Sequence, residues 1–410
     1  MRVGVRQFLS GYDLRLYGGD VHRFFLFALP VFSAIALFSL LYNLYLLRLH
    51  FSEDFIGQVA GALPLATGLC AVPTGLLSDR FGRKPFLVAS ALLMGTGQAG
   101  LCLARDPAWL LSFSFLSGIA AAFIYVNFIP FLAEFVQPDR RSQALSLWTS
   151  IQVLTRLLLS LGGGALPGAV AYLVDSSTDL PEPFRYALLG GAALSFGAVW
   201  PLWGLDEKKN APPKPAPGAD GAAPWKPLAT FACVSGLRGL AQGLSFPFFN
   251  VFFQEQFHAT AAGIGLIFFF SQAVGLPSTL AAPAAEKRWG PRRSILPLRI
   301  AGAACMAALG ASGHLGWALL FFFGANAMEA VTMPIEMNSA TRALPRRYWA
   351  RIQSMRVTGF QLLSGLGSVS AGYMVVEYGY WLPFALAALA LVGSAAIFAL
   401  VFEEWPAEGT

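Results

Sequence analysis

Long apolar runs recur along this chain, each close to the roughly 20 residues a helix needs to cross a hydrocarbon core of about 30 Å. Twelve can be drawn, at 24–47, 55–77, 86–104, 109–133, 144–173, 184–204, 228–253, 261–284, 294–312, 315–338, 352–374 and 380–402. Inside hydrocarbon every backbone N–H and C=O must be satisfied within the crossing segment, which leaves the helix as the form for runs of this length. Composition agrees: 56% of residues are hydrophobic and 12% charged, against roughly 25% charged in soluble domains. The chain reads as an all-α polytopic membrane protein with twelve transmembrane helices. The connections are mostly short, so sequence neighbours run antiparallel.

The basic residues sort by side. Arg80, Arg83, Lys84, Arg140, Arg141, Lys208, Lys209, Lys287, Arg288, Arg292 and Arg293 fall on the side of the termini, and only Arg48, Arg105 and Arg185 on the other. The positive-inside rule then predicts cytoplasmic termini and an integral protein of the plasma (inner) membrane. Residues 1–20 carry Arg2, Arg6 and Arg15 and no long apolar run, so the N-terminus is expected to be retained. The net charge of +6 follows from this sorting and does not suggest a nucleic-acid partner. Cys70, Cys102, Cys233 and Cys305 lie inside apolar segments without C-x-x-C or His-rich spacing, so neither a disulfide framework nor a metal site is expected. No nucleophile–base pair or phosphate loop is seen, and the chain is read as a non-enzyme without cofactors.

Residues 206–227 are rich in Pro, Ala and charge and read as a flexible cytoplasmic linker. They would join an N-terminal six-helix bundle, 1–205, to a C-terminal one, 228–410. The halves repeat each other: a shift of 208 places Gly57 on Gly265, Gly82 on Gly290, Ser146 on Ser354 and Lys84 on Arg292, and a shift of 207 places Asn43 on Asn250. Duplicated halves are a known transporter architecture with the substrate site near the midplane between them.

Between spans 2 and 3 stands G-L-L-S-D-R-F-G-R-K, Gly75 to Lys84. Each of its charges would cost about 2.5–3.5 kcal/mol inside hydrocarbon, so it is a surface turn. It resembles the loop between helices 2 and 3 of the major facilitator superfamily, G-x-x-x-D-[RK]-x-G-[RK]-[RK], at Gly75, Asp79, Arg80, Gly82, Arg83 and Lys84. A faded second copy, P-A-A-E-K-R-W-G-P-R-R at 283–293, has Lys287 in the place of Asp79, and is read mainly as a positive-inside anchor. The resemblance implies two pseudo-symmetric six-helix bundles that rock about a central cavity lined by helices 1, 4, 7 and 10. It also implies that Asp79 is a gate element docking against the cytoplasmic end of helix 11, near Arg356 and the Arg346–Arg351 cluster.

Ionisable and polar residues inside the spans are candidates for function. Span 10 carries Asn326, Glu329, Met333 and Glu336 on one helical face, and span 7 carries Ser235, Arg238, Gln242 and Ser245 at the same spacing. Span 5 offers Thr149, Gln152, Arg156 and Ser160, and span 11 Gln353, Arg356 and Gln361. At 1.5 Å per residue Arg156 and Arg238 lie roughly 15–18 Å in from the cytoplasmic ends of their spans. Three readings stay open for them: binding an anionic or hydrogen-bonding substrate, switching partners with Glu329, or a permanent buried ion pair. Glu329 is the candidate protonation site, while Glu134 and Glu336 read as interfacial salt bridges steadying a closed gate. Carried over from the resemblance, the cavity draws on Asn43, Tyr125, Asn127, Arg238, Gln242, Asn326, Glu329 and Met333, with Gln152, Arg156, Arg356 and Gln361 from flanking helices.

The run Gly162, Gly163, Gly164, Pro167, Gly168 loosely resembles the Gly-Pro motif of span 5 in antiporter branches. The resulting expectation is a monomeric secondary active transporter moving a small organic solute by alternating access, in proton-coupled efflux, with membrane lipids as its surroundings. Span 1 lacks the acidic residue that several such exporters place there, so coupling would fall to Glu329, Glu134 or Glu336. The alternatives are uptake or facilitated passage of an organic anion, with Arg156 and Arg238 on the anionic group, or a lipid flippase on the same scaffold.

Overall fold

A computed structural model describes residues 18–137, 140–205, 225–342 and 348–401, and all regular elements among them are helical. In chain order they are α1 (Gly19–Arg48), α2 (Glu53–Phe81), α3 (Lys84–Leu103), α4 (Pro107–Phe135), α5 (Arg141–Leu173) and α6 (Pro181–Gly197, continued by Val199–Trp203). The second half begins with α7, which runs Trp225–Ser245, passes through a 3-10 turn at Phe246–Phe248 and resumes as Phe249–Phe257. The turn holds Pro247, which has no N–H to give to the helical ladder. The stretch Ala261–Gly310 is two helices meeting at Gly290, α8 before it and α9 after it. Then come α10 (Leu315–Arg342), α11 (Trp349–Tyr378) and α12 (Trp381–Val401).

Among the described residues, ten stretches are individually long and apolar enough to cross a membrane. One of the ten is the bent Ala261–Gly310, which supplies two crossings, and the interrupted α7 makes the twelfth. The fold is two bundles of six helices, α1–α6 and α7–α12. Most of the linker, 206–224, lies outside the described residues; Trp225 already opens α7.

The bundles meet along two seams, α2 against α11 and α5 against α8. Small residues let the backbones approach there: a Cβ added at Gly57 would lie 2.6 Å from Ser368 O, and one at Gly164 would lie 2.7 Å from Ala261 O. Cross-bundle hydrogen bonds gather at the same end of the molecule. Asn43 Nδ2 donates to Pro247 O at 2.6 Å, Asn250 Nδ2 to Leu40 O at 2.9 Å, Arg48 Nη1 to Gln254 Oε1 at 3.1 Å and Gln58 Nε2 to Tyr373 Oη at 3.0 Å. Toward the other end α2 loses this cover. Past Gly68, which still faces Leu362, Val72 is 53% and Leu76 70% exposed. The bundles are closed at the end bearing Asn43 and Asn250, and parted at the end bearing the charged turn.

The two charged turns share one backbone device. Gly82 ends α2 at φ 92°, ψ 168°, and its repeat partner Gly290 breaks α8 from α9 at φ 75°, ψ 165°. This region of backbone space is essentially reserved for glycine, and holding another residue there costs about 1–3 kcal/mol. Gly82→Ala and Gly290→Ala should therefore each lower the thermal unfolding midpoint of the purified protein. Gly162→Ala should leave it unchanged or raise it, because that helical glycine has open space around its Cβ position.

Candidate functional site

Four helices of the second bundle converge on one carboxylate. Glu336 of α10 is 0% exposed. It accepts from Ser235 Oγ of α7 at 3.0 Å, Arg299 Nη2 of α9 at 2.7 Å, Arg356 Nη2 of α11 at 2.9 Å and Arg238 Nη1 of α7 at 3.3 Å. Ser235 in turn accepts from Arg356 Nε at 3.0 Å, and Arg299 Nη1 reaches Ser394 Oγ on α12 at 2.9 Å. Charges this deep survive only when paired and hydrogen-bonded. Local periodicity assembles the cluster: Ser235 and Arg238 are three residues apart on α7, and Glu329 and Glu336 seven apart on α10, each pair on one face.

Arg238 is shared with a second carboxylate. Its Nε donates to Glu329 Oε1 at 3.0 Å, and its Nη2 contacts the same oxygen. Glu329 differs from Glu336 in access, with 36% of its side chain exposed. Met333, one turn along α10, is 52% exposed, and Gln242, one turn along α7 from Arg238, is also exposed. The cluster of Arg238, Arg299, Arg356, Glu329 and Glu336 carries a formal excess of one positive charge.

The sequence singled out all of these residues except Arg299. It sits five residues inside the run 294–312, just beyond Arg292 and Arg293, and its depth in that run was the usable signal. Glu336 needs a correction. It was expected at the end of span 10 as a gate salt bridge, but α10 continues to Arg342, so Glu336 is buried inside one bundle and its bridges do not cross between the two.

In the first bundle Arg156 is exposed and its guanidinium has no polar partner among the described residues. It lies one turn from Ser160 and two from Gly164, on the face of α5 that meets α8 at Gly265. That face is covered at Gly164 and uncovered at Arg156, where the bundles have begun to part. Gln152, one turn further along, is partly exposed. Tyr125, Gln152, Gln242 and Gln361 make no side-chain hydrogen bond among the described residues, and Asn326 Nδ2 is turned back to Phe322 O at 2.8 Å.

The charged turn is organised around Arg83. Its guanidinium donates to Asp79 Oδ1 at 2.5 Å, Ser78 Oγ at 2.7 Å, Glu134 Oε1 of α4 at 3.2 Å and Asn127 Oδ1 at 3.5 Å. Two expectations change here. Asp79 does not dock on α11 but pairs with Arg83 and is 66% exposed, because the bundles are parted at this end; Arg346 and Arg347 lie outside the described residues. Asn127 is 0% exposed and bonded to Phe123 O at 2.8 Å, so it braces the turn and does not line a cavity. Lys84 Nζ caps the end of α6 through Leu205 O at 2.7 Å, the Arg80 guanidinium lies over the Phe81 ring, and Gly75 sits against Val126. The second turn repeats the bridge with reversed polarity: Glu286 pairs with Arg342 at 3.0 Å, and Arg342 is the residue 208 positions after Glu134.

Among the described residues no group of three or more His, Cys, Asp or Glu is placed to hold a metal. A profile of the Major Facilitator Superfamily matches residues 24–238 and again 231–409. Among curated proteins, the multidrug resistance protein MdtH of Enterobacter sp. (strain 638) is 32% identical over 170 residues, 38% of this chain and 39% of that protein. MdtH of Citrobacter koseri is 29% identical over the same shares. The match to these relatives thus spans about two-fifths of their length. Among solved structures, a bacterial homolog of the human lysosomal transporter Spinster, inward-facing and unoccupied, aligns with TM-score 0.78 at 14% identity over 94% of this chain and 97% of that one. A D-xylose-proton symporter aligns with TM-score 0.73 at 15% identity over 95% and 98%. At these identities the likeness is one of fold.

The buried cluster makes a graded prediction. Glu336→Gln strips three arginines of their common counter-charge, and breaking a buried ion pair from one side costs about 3–5 kcal/mol. It should lower the thermal unfolding midpoint sharply in detergent or lipid. Glu329→Gln should lower it far less, because that carboxylate is partly exposed and Arg238 keeps Glu336.

Proposed function

The chain belongs to the Major Facilitator Superfamily, and from that premise we propose that this integral membrane transporter exports a small organic solute in exchange for protons. The observation that carries the proposal is the difference between two carboxylates on one face of α10. Glu336 is sealed and held by three arginines, while Glu329 shares Arg238 and is accessible. A carboxyl that exchanges its proton must reach water in at least one state, and it needs a paired cation with a second partner to fall back on when the carboxyl is neutralised. Glu329 meets both conditions, so it is assigned the coupling proton.

The charged turn and the bulk of the basic residues are assigned to the cytoplasm, with both termini. The parted end then faces inward, and the closed end faces outward. In this inward-open state Glu329 is ionised and paired with Arg238, and solute enters between the bundles. After the bundles rock, a proton arriving from outside neutralises Glu329, which releases Arg238 to Glu336 alone and weakens the site for solute. The two bundles, 1–205 and 228–410, move about the linker 206–227 within one monomer. The multidrug resistance relatives favour a broad organic substrate class and the outward direction.

A second reading rests on Arg156. An exposed guanidinium in the first bundle without a polar partner among the described residues, together with a cluster in the second that carries one excess positive charge, suits the anionic group of an organic anion. The two readings separate in proteoliposomes. With a lipophilic dye as probe, uptake into inverted vesicles should dissipate an imposed pH gradient, and Glu329→Gln should abolish gradient-driven accumulation while leaving dye exchange intact. An undisturbed gradient during flux argues against antiport. If an organic anion is the substrate, Arg156→Ala should raise its KM by about tenfold or more, the loss expected for one charged hydrogen bond, while dye flux stays unaffected.

A further inference from the structure

The closed end holds a pair of acids that neither the bundles' packing nor the coupling role of Glu329 explains. Glu53 opens α2 in the first bundle, and Glu255 lies on the last turns of α7 in the second, two residues past the apolar run 228–253. Their carboxyl groups are within hydrogen-bonding reach of each other across the seam. Tyr380, in the connection between α11 and α12, donates its hydroxyl to Glu255 Oε2 at 2.5 Å. Two ionised carboxylates have no donor between them, so this contact needs a proton on one of the pair.

The surroundings tighten the constraint. Gly372 of α11 packs so closely on the start of α2 that an added Cβ would lie 2.6 Å from Glu53 O, so the backbone carrying Glu53 is held against the second bundle while the seam is shut. The other charged and titratable groups here are Arg48 on α1, Asp54 beside Glu53, Asp179 between α5 and α6, His258 at the end of α7 and Glu377 near the end of α11. The Arg48 guanidinium is already engaged by Thr178 O at 3.0 Å, Leu44 O at 3.1 Å and Gln254 Oε1 at 3.1 Å, and lies 4.0 Å from the Phe184 ring centroid. It is committed elsewhere and does not neutralise the acids.

We propose that Glu53 and Glu255 are a proton-binding latch: the closed end keeps one proton between the two carboxyls, and losing it to the water at that end lets the bundles separate there. Burial and the Glu53 carboxyl push Glu255 up to about 7, against the pull of the Tyr380 hydroxyl. A carboxyl whose closed-state affinity for protons is raised favours closure while the proton is bound. Closure therefore holds below about pH 7 and weakens as pH rises through that value. The latch is a second proton site at the gate, independent of the coupling assignment to Glu329 and of which side of the membrane this end faces.

The test is a pair of spin labels at Ser177→Cys and Gly313→Cys, one in each bundle at the closed end, in full-length protein whose four native cysteines are replaced, in lipid nanodiscs. From pH 5 to pH 9 the distance distribution should shift from a single short population to a mixture with a longer one, with a midpoint near 7. Glu255→Gln and Glu53→Gln should hold the short distance at all pH values, since an amide supplies the missing donor. Tyr380→Phe should move the midpoint up, because it removes a donor that favours the charged form. His258→Gln and Glu329→Gln should leave the response in place. A distribution that does not change with pH, a midpoint unmoved by both glutamine variants, or a response that vanishes with His258→Gln would overturn the latch. None of these outcomes bears on the gradient-coupled flux that tests Glu329.

Discussion

One carboxylate at the centre of the second bundle decides how that bundle is built. Glu336 collects hydrogen bonds from α7, α9 and α11, and through Arg299 and Ser394 the network reaches α12. Without it, three guanidinium groups would face each other in a medium that cannot screen them. The first bundle solves the same packing problem without charge. A shift of 208 carries Arg356 to Trp148 and Glu336 to Phe128, and those two rings stack at 5.1 Å with 8° between their planes. Phe24 covers the other side of Trp148 at 4.8 Å. One half of the repeat is thus locked by an aromatic stack and the other, at equivalent positions, by an ion cluster.

That divergence gives the halves different work. An aromatic stack has no titratable group, so the first bundle contributes a rigid body, a charged turn and the exposed Arg156. The ion cluster has a sealed member and an accessible one, and only the accessible one can change charge without unbuilding the bundle. In the proposed coupling, Glu336 keeps Arg238 in place when Glu329 lets go, so a proton at Glu329 alters the site while the helices around it stay packed. The charged turns diverged in the same manner: Arg83 to Glu134 in one half becomes Glu286 to Arg342 in the other, and the turn's glycine keeps its backbone conformation in both.

The architecture was legible in the sequence for a physical reason: bilayer thickness imposes a length on each apolar run, and charge sorting imposes their order. The repeat was legible because glycines at Gly82 and Gly290 answer a backbone requirement that no other residue meets cheaply. What stayed hidden depended on facts that periodicity does not carry. Glu336 was placed at a helix end because the apolar run stops at 338, whereas the helix runs on to Arg342. Asn127 was placed in the cavity because its helix was expected to line it, yet the side chain turns to Arg83. Asp79 was given a partner on α11, yet here it pairs with Arg83 at a parted end, and a sequence does not state which conformation is populated. Glu53 and Glu255 are 202 positions apart, one just before the apolar run 55–77 and the other just past the run 228–253, so both read as ordinary surface acids until the seam brings them together.

The two ends of the molecule are held by different physics, and this bears on how it can move. At the closed end glycine-lined backbones touch, and amide and carboxyl groups bridge the bundles, so closure there depends on shape and on a proton. At the parted end the charged turn satisfies itself: Arg83 spends its donors on Asp79, Ser78, Glu134 and Asn127, all within its own bundle. Closing that end would give the exposed Asp79 a new partner across the gap only by competing with Arg83 for the same carboxylate. An exchange of that kind trades one ion pair for another and does not add one.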